Sequence, residues 1–222
     1  MNPPASRPLP PVLPWSLPTL TEQAGRLVRP GQRSLLGLAG PPGAGKTTVA
    51  TALCDALGPA AARVPMDGFH LANQVLSTLG MTDRKGSPPT FDVGGFHSLL
   101  QRLRANTEDV IYGPEFFRDL EEPIAGALPV PRTVPLVIVE GNYLLLDDGP
   151  WQHTASFFDE IWYLCPEEAT RQERLKQRHQ SHGRTATDAQ AWITHNDEPN
   201  ARLVASTAHR ADKIIIPAAS AR

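Results

Sequence analysis

The sequence has 222 residues, of which 21 are Lys or Arg and 23 are Asp or Glu, so its formal net charge is −2. That length suffices for one α/β domain with its own core, and the near balance of charge excludes the global basic field that attracts nucleic acid. No apolar run approaches the roughly 18 residues that span a membrane, so we expect neither a nucleic-acid partner nor a membrane span.

The first 18 residues are dense in proline. This composition is unsuited to a regular helix or strand and predicts an extended arm, more readily a surface-draped leader than a ligand for a partner. The arm has no basic start followed by an apolar core, so a signal peptide is not supported. Residues 19–222 then form a single domain, which begins with a helix predicted from Thr19 to Val28.

The stretch Gly40–Thr47 reads GPPGAGKT and fits the P-loop pattern G-x-x-x-x-G-K-[ST]. A short apolar run, residues 34–39, precedes it and predicts a buried strand. Apolar residues at helical spacing follow it up to Gly58, which predicts a helix. Because strand, glycine loop and helix are the context that this motif requires, a nucleotide-binding loop is favoured over a chance match in a Gly/Pro-rich turn.

In a P-loop the backbone N–H groups surround a nucleotide's phosphates, the lysine reaches the terminal phosphates, and the hydroxyl of the last residue ligates Mg²⁺. Lys46 and Thr47 occupy these two positions. The sequence therefore predicts that ATP and Mg²⁺ bind here.

The next predicted strand, residues 61–66, ends in Asp67. Ligands of open parallel sheets bind at the carboxyl ends of the strands, so this carboxylate should lie near a γ-phosphate. An ionised aspartate there can orient an attacking hydroxyl and accept its proton. The alternative is that Asp67 caps a helix predicted over residues 70–79, and the two roles are compatible.

The middle of the chain carries loops of mixed composition. A solvated surface is favoured for residues 84–92, and Asp92 is a predicted N-cap of a helix that ends near Asn106. Residues 107–133 are the least regular stretch, with one short strand candidate at Val110–Tyr112. We interpret them as a substrate-facing insertion.

Residues 134–141 form a continuous apolar run that ends in Glu140-Gly141. Such a run predicts a central parallel strand with both faces covered. Glu140 stands at the Walker B position, where a carboxylate holds Mg²⁺ through water or orients the nucleophile. A purely structural role for Glu140 is the less favoured alternative.

A strand is predicted at residues 160–165, followed by a helix with Pro166 at its first position. Arg171, Arg174 and Arg178 fall at i, i+3 and i+7 of this helix and share one stripe. A solvated face is the alternative, but three guanidinium groups followed by a Gly183 hinge suit a lid over phosphates, at about residues 171–200.

The sequence of the remaining chain predicts mostly helix from Thr187 to Ala211 and a final buried strand that starts at Lys213. Cys54 and Cys165 lack partners at metal-binding spacing, so reduced thiols in a cytoplasmic protein are favoured over a disulfide or a metal site.

These motifs, in this order, closely resemble the phosphoribulokinase/uridine kinase family. The resemblance rests on Gly40–Thr47, Met66–His70, Arg84–Asp92 and Val137–Tyr143, and covers roughly residues 20–217. It is strongest to the nucleoside/nucleotide kinase-like branch (fructose transport system kinases), with bacterial pantothenate kinase as a relative. Tyr112–Arg118 departs from the usual family pattern of a tyrosine or proline followed by an acidic–arginine pair.

The resemblance implies an α/β P-loop fold, a three-layer α/β/α core of the nucleoside monophosphate kinase type with a five-stranded parallel sheet and a helical lid. It also implies ATP and Mg²⁺ as cosubstrates, Asp67 as catalytic base, an acceptor-site role for the Arg84–Gly86 loop, and lid arginines.

The candidate catalytic residues are Lys46, Asp67, Glu140, Arg171 and Arg174, and the candidate metal ligands are Thr47 and Glu140. The candidate nucleotide-binding residues are Gly40, Pro41, Pro42, Gly43, Ala44, Gly45, Lys46, Thr47, Thr48 and Arg178. The candidate acceptor-binding residues are Asp67, His70, Arg84, Lys85, Tyr112, Arg118, Asn142 and Tyr143.

The function expected on this basis is transfer of the γ-phosphate of ATP to a hydroxyl of a nucleoside, a sugar or a pantothenate-like acceptor. The expected partner is thus a small molecule, and a homodimer is compatible with the sequence. The alternative is a regulatory P-loop NTPase that acts with a protein partner. It is less favoured because no N/T-K-x-D guanine-reading motif and no second arginine-finger module are present.

Overall fold

The computed structural model describes residues 9–217. The strands are β1 (Val12–Pro14), β2 (Ser34–Ala39), β3 (Ala61–Pro65), β4 (Val110–Phe117), β5 (Glu122–Pro131), β6 (Leu136–Gly141), β7 (Glu160–Leu164) and β8 (Lys213–Ile216). The α-helices are α1 (Leu17–Gly25), α2 (Lys46–Leu57), α3 (Asn73–Thr78), α4 (Val93–Ala105), α5 (Glu168–Ser181), α6 (Ala186–Trp192) and α7 (Glu198–Ser206).

Six strands form one parallel sheet in the order β1-β8-β7-β2-β6-β3. Every residue of β2 and β6 is buried, as continuous apolar runs require when helices cover both faces of a sheet. The α/β fold with a parallel sheet is therefore confirmed, with one strand more than the five expected.

Two buried clusters, one on each side of the sheet, give the three layers. Leu36 and Leu38 of β2 pack with α1 and α2 in one cluster. Leu35 and Ala39 of the same strand belong to the other cluster, which includes the apolar face of α4. The alternation along β2 follows from the two-residue period of a strand, which sends successive side chains to opposite faces.

The additional strand is β1, inside the segment predicted to lack helix and strand. Val12 pairs with Ile214 of β8, and the backbone N–H of Ile214 donates to the Pro11 carbonyl at 2.9 Å. The prediction of an extended arm without helix or strand is therefore wrong over residues 12–14, which form β1, and over residues 17–18, which open α1. Its part over residues 1–8 lies outside the described residues. Prolines are tolerated at this position because an edge strand needs only one of its sides for pairing.

Residues 107–133 are also more regular than expected. They contain β4 and β5, which pair antiparallel as a separate two-stranded sheet with a register shift between Gly113 and Glu115. The expectation of loops is wrong over residues 113–117 and 122–126, which are strand, and holds for the turn at residues 118–121; the strand candidate at Val110–Tyr112 lies within β4. The hairpin packs on the turn that carries Asp67, and a Cβ on Gly68 would lie 2.4 Å from the Pro114 carbonyl oxygen.

The helix boundaries settle two capping predictions. Asp92 is the N-cap of α4, and its carboxylate accepts from the Gly95 N–H at 2.9 Å. Asp67 caps no α-helix, because α3 begins only at Asn73 and Ala72 is its N-cap residue. The helix predicted from residue 70 therefore starts later, after a 3₁₀ turn at Met66–Phe69.

The region expected to form a lid consists of α5, α6, a π-helical turn (Ile193–Asp197) and α7. Helix α5 starts at Glu168, so Pro166 precedes the N-cap residue Glu167 and does not occupy the first helical position. Over residues 9–217 no helix combines the length and apolar character needed to cross a membrane.

The register of the sheet brings three strand ends together. Glu140 at the end of β6 lies opposite Leu38 of β2 on one side and Pro65 of β3 on the other. The P-loop follows β2, and Asp67 follows β3. The nucleotide loop and the two carboxylates therefore meet at one edge of the sheet.

Candidate active site

The P-loop connects β2 to α2 and holds Lys46 at the first position of that helix. Gly43 and Gly45 have φ values of +80° and +87°, a region that glycine adopts without strain. The buried Lys46 ammonium donates to the carbonyls of Gly40 at 2.9 Å and Pro41 at 3.1 Å, and to Asn142 Oδ1 at 2.6 Å. Burial lowers the pKa of Lys46 to about 8. A phosphate placed beside this ammonium would offset the cost of burying its charge.

Thr47 and Glu140 form the candidate metal site. The Thr47 hydroxyl donates to Glu140 Oε1 at 2.9 Å. Burial, together with the negative charge of Asp67, raises the pKa of Glu140. A hydroxyl and one carboxylate fit Mg²⁺, which in nucleotide sites takes few protein oxygens and completes its shell with phosphates and water. Among residues 9–217 there is no group of three or more His, Cys, Asp or Glu that could hold a metal by itself.

Asp67 lies on the turn after β3 and faces Arg118 of the β4–β5 connection, with 3.7 Å between its Oδ2 and the guanidinium. Burial alone would raise the pKa of Asp67, but the charges of His70 in its protonated form, Arg118 and Lys46 outweigh that effect and hold the pKa below its ordinary value. An ionised Asp67 at neutral pH follows.

His70 packs beside Asp67 between two aromatic rings. Its ring centroid lies 4.1 Å from that of Phe91 and 4.9 Å from that of Phe116. Burial lowers its pKa, although Asp67 acts in the opposite direction. A neutral imidazole is therefore the dominant form at neutral pH, and its Nδ1 lies 2.7 Å from the Asp67 carbonyl oxygen.

These groups line one cavity of about 1190 Å³. The structure brings to its wall most of the predicted site residues. These are Pro42, Gly43, Gly45, Lys46, Thr47, Thr48, Asp67, His70, Lys85, Arg118, Glu140, Asn142, Arg174 and Arg178.

Three predicted acceptor residues do not line this cavity. Arg84 lies in an exposed 3₁₀ turn, and Tyr112 on β4 is more than half exposed. Tyr143 is fully buried, and its hydroxyl donates to the Gly86 carbonyl at 2.6 Å. Its contact with Gly86 instead supports the loop that carries Lys85. Of the P-loop residues, Gly40, Pro41 and Ala44 are buried behind the cavity wall.

Arg171 is buried, with 1% of its surface exposed, and does not line the cavity. Its guanidinium binds the carboxylates of Glu168 and Glu198 and donates to the Pro42 carbonyl at 3.2 Å. The hydrogen bonds that Arg171 donates to the Glu168 carboxylate raise the pKa of Arg171. This arrangement supports a positioning role for Arg171, which joins the base of α5 and the start of α7 to the P-loop.

We therefore expect Arg171 and Arg174 to respond differently to replacement by Met. Arg171→Met should lower the free energy of unfolding by about 2 kcal/mol or more, because it leaves Glu198 and the Pro42 carbonyl without their partner. Arg174 is exposed at the cavity wall, so Arg174→Met should change stability by less than about 0.5 kcal/mol and lower turnover. Urea unfolding of both variants measures the difference, and equal stability would contradict the assignment for Arg171.

Several cavity residues carry no sequence motif and were not predicted. Arg63 of β3 donates to Glu115 Oε1 at 2.6 Å and approaches Glu140 Oε1 at 3.4 Å. That oxygen also accepts from the Thr47 hydroxyl, so Arg63 helps to hold the carboxylate of the candidate metal site. The guanidinium of Arg184 stacks on the Trp192 ring at 4.0 Å. In the sequence, Arg184 is indicated only as a further cation directly after the Gly183 hinge.

The π-helical turn supplies a second unpredicted group. Asn196 donates to the Lys85 carbonyl at 2.8 Å, and Asp197 binds His179 at 2.7 Å. Both side chains are more than nine-tenths buried and border the cavity. Both residues lie in the π-helical turn Ile193–Asp197, and such turns are frequent at functional sites.

Comparison with known proteins supplies independent evidence. No family model matches the sequence. The Escherichia coli protein described as "Uncharacterized protein YggC" is 39% identical over 194 residues, which cover 85% of this chain and 79% of that protein. A Schizosaccharomyces pombe protein named "Putative uridine kinase" is 33% identical over 181 residues, or 78% of this chain and 77% of that protein.

Among solved structures, one from Silicibacter sp. TM1040, described as a "putative fructose transport system kinase", superimposes with a TM-score of 0.79. It is 36% identical, and the match covers 90% of this chain and 98% of that one. The sequence identity, the coverage and the geometry of the P-loop agree. The chain belongs to the phosphoribulokinase/uridine kinase family of P-loop kinases.

Proposed function

We propose that this protein is an ATP-dependent small-molecule kinase that transfers the γ-phosphate of ATP to a hydroxyl group. The observation that carries the proposal is the arrangement of Lys46, Thr47–Glu140 and Asp67 around one cavity, at the ends of three adjacent strands. The names of two similar proteins, a uridine kinase and a fructose transport system kinase, support this reaction class.

The proposed donor half comprises the P-loop and α5. Lys46 and the backbone N–H groups of the P-loop would bind the β- and γ-phosphates, while Arg174 and Arg178 face the same space from the lid helix. Guanidinium groups in this position stabilise the charge that spreads over the transferring phosphoryl oxygens. Thr47 and Glu140 would hold Mg²⁺, which neutralises part of the phosphate charge.

The proposed acceptor half is centred on Asp67. Its ionised carboxylate would accept a hydrogen bond from the acceptor hydroxyl and take the proton as the oxygen attacks the γ-phosphorus. A new bond forms between the acceptor oxygen and phosphorus, and the bond from phosphorus to the β–γ bridging oxygen breaks. ADP leaves with that oxygen and its electron pair.

Acceptor-dependent ADP release tests this function. The full chain is incubated with ATP and Mg²⁺ and a panel of nucleosides, sugars, sugar phosphates, hydroxy acids and pantothenate. ADP is followed by a coupled assay, and the phosphorylated product is identified by mass spectrometry. ATP hydrolysis that no hydroxyl compound stimulates, but that a protein partner does, would contradict the proposal and support a regulatory NTPase.

A further inference from the structure

Two guanidinium groups converge on the cavity next to Asp67, and each makes only a long ion pair with a carboxylate. Arg118 is 3.7 Å from the Asp67 carboxylate, and Arg178 is 4.0 Å from that of Asp197. Within residues 9–217, neither side chain makes a hydrogen bond. Each is about a third or more exposed, and each lines the cavity.

The two groups also influence one another electrostatically. Burial lowers the pKa of Arg178, and the charge of Arg118 lowers it further, while Asp197 and Asp67 act in the opposite direction. Arg118 likewise contributes to the lowered pKa values of Asp67 and His70. Arg118 and Arg178 therefore share this side of the cavity with the carboxylates of Asp67, Asp197 and Glu121, and within residues 9–217 none of these accepts a hydrogen bond from either guanidinium.

Lys85 adds a third cation to this side. Its ammonium donates to Asn73 Oδ1 at 2.6 Å and lies 5.1 Å from the centre of the Phe116 ring. Its charge acts on His70, as does that of Arg118. The hairpin and the loop after α3 thus place Arg118 and Lys85 close enough to His70 for both charges to lower its pKa.

The donor phosphates have cations of their own. The Arg174 guanidinium lies over the P-loop, 3.3 Å from the position of a Cβ on Gly45, and the Lys46 ammonium donates to the P-loop carbonyl of Gly40. Arg118 comes from the β4–β5 connection and approaches the Asp67 carboxylate at 3.7 Å, close enough to Lys46 for its charge to lower the pKa of that lysine as well. A hydroxyl bound at Asp67 would therefore hold the rest of its molecule next to Arg118.

On the basis of the proposed kinase function, we infer that the acceptor carries an anionic group, a carboxylate or a phosphate, close to its reactive hydroxyl, and that Arg118 binds this group. A guanidinium offers two parallel N–H donors that match both kinds of anion. A neutral acceptor would leave the charges of Arg118 and Arg178 acting on one another without an anion hydrogen-bonded to either, at an electrostatic cost that an anion removes.

Matched acceptor pairs test the class of acceptor. The pairs are D-glycerate with glycerol, pantothenate with panthenol, and ribose 5-phosphate with ribose, each assayed by ADP release with saturating ATP. The anionic member of a pair that is turned over should have a kcat/KM about 10-fold to 100-fold above its neutral partner, as expected for hydrogen bonds to a charged group. A preference for the neutral members would overturn the inference and leave the kinase function intact.

Two arginine variants test the assignment to Arg118. Arg118→Met should reduce the preference for the anionic member of each pair about tenfold or more, mainly through KM. The matched control is Arg132→Met, which removes the same charge from an exposed position at the far end of the hairpin and should keep the preference. An equal loss of activity towards both members in Arg118→Met, or a higher KM for ATP alone, would overturn the assignment.

A binding measurement separates this inference from the proposed function. Inorganic phosphate is added to the protein with the P-loop occupied by AMP-PNP and Mg²⁺, and the melting temperature is recorded. Phosphate should stabilise the wild type and Arg132→Met, but not Arg118→Met. This result without any acceptor-dependent ADP release would support the anion site and contradict the kinase function, whereas no Arg118-dependent effect in either assay would overturn the anion site.

Discussion

Asp67→Asn is expected to lower turnover by about 100-fold or more while the protein still binds ATP, because it removes the base that accepts the acceptor's proton. Asparagine keeps the size of the side chain and can still hydrogen-bond a hydroxyl, but it cannot take up the proton. Because the charges of Asp67 and Lys46 act on each other, a phosphate bound beside Lys46 would also lie near Asp67. The carboxylate of Asp67 repels such a phosphate, and the substitution removes this repulsion. We therefore expect the dissociation constant for ATP to stay the same or to fall.

The measurement is kcat in the ADP assay together with ATP-analogue binding by calorimetry. Asp55→Asn is the control, because Asp55 is exposed on α2 and the substitution removes an equal charge away from the cavity. Turnover of Asp67→Asn within about threefold of the wild type would exclude Asp67 as the general base. A parallel loss of ATP binding would instead indicate that the variant disturbs the P-loop.

The two carboxylates of the site were predictable because each directly follows or ends a strand of the parallel sheet. A buried run that ends in Glu140, and another that ends in Asp67, place both carboxylates at the same edge of a parallel sheet as the P-loop. This prediction requires only that the strands are parallel and adjacent, and the structure confirms that they are.

The arginine stripe shows the limit of that reasoning. The sequence spacing predicts that Arg171, Arg174 and Arg178 share a helix face. It does not predict which of the three lie beside the cavity. Arg171 lies in the first turn of α5, where the helix packs on the P-loop, and a Cβ on Gly43 would lie 2.8 Å from its carbonyl oxygen. Arg178 lies about 10 Å further along the axis, where the cavity is open. Tertiary packing decides which arginine is structural.

The hairpin was missed because its sequence is rich in the residues that usually end strands. Pro114, Pro123 and Gly126 lie within β4 and β5. In a two-stranded sheet each strand has one unpaired side, so a proline without an N–H is tolerated there. The consequence for the site is large, since Arg118 reaches Asp67 only because this hairpin folds over the turn after β3.

Lys46→Met should reduce both ATP affinity and turnover, since the same ammonium would contact the phosphates before and during transfer. We expect the dissociation constant for ATP to rise about 10-fold to 100-fold, the range for a hydrogen bond to a charged group, and kcat to fall with it. Methionine matches the length of the buried stem, so a loss of packing should not dominate the result. Calorimetric ATP titration and the ADP assay measure the two effects separately.

Lys176→Met is the matched control, because Lys176 is exposed on α5 outside the main cavity. The two outcomes distinguish a phosphate-binding lysine from a structural one. In this structure the Lys46 ammonium binds two P-loop carbonyls and Asn142, so a purely structural lysine would, when replaced, lower the melting temperature and leave ATP affinity near that of the wild type. A phosphate-binding lysine gives weakened ATP binding in a folded protein, and its variant should also lose the stabilisation that ATP confers on the wild type.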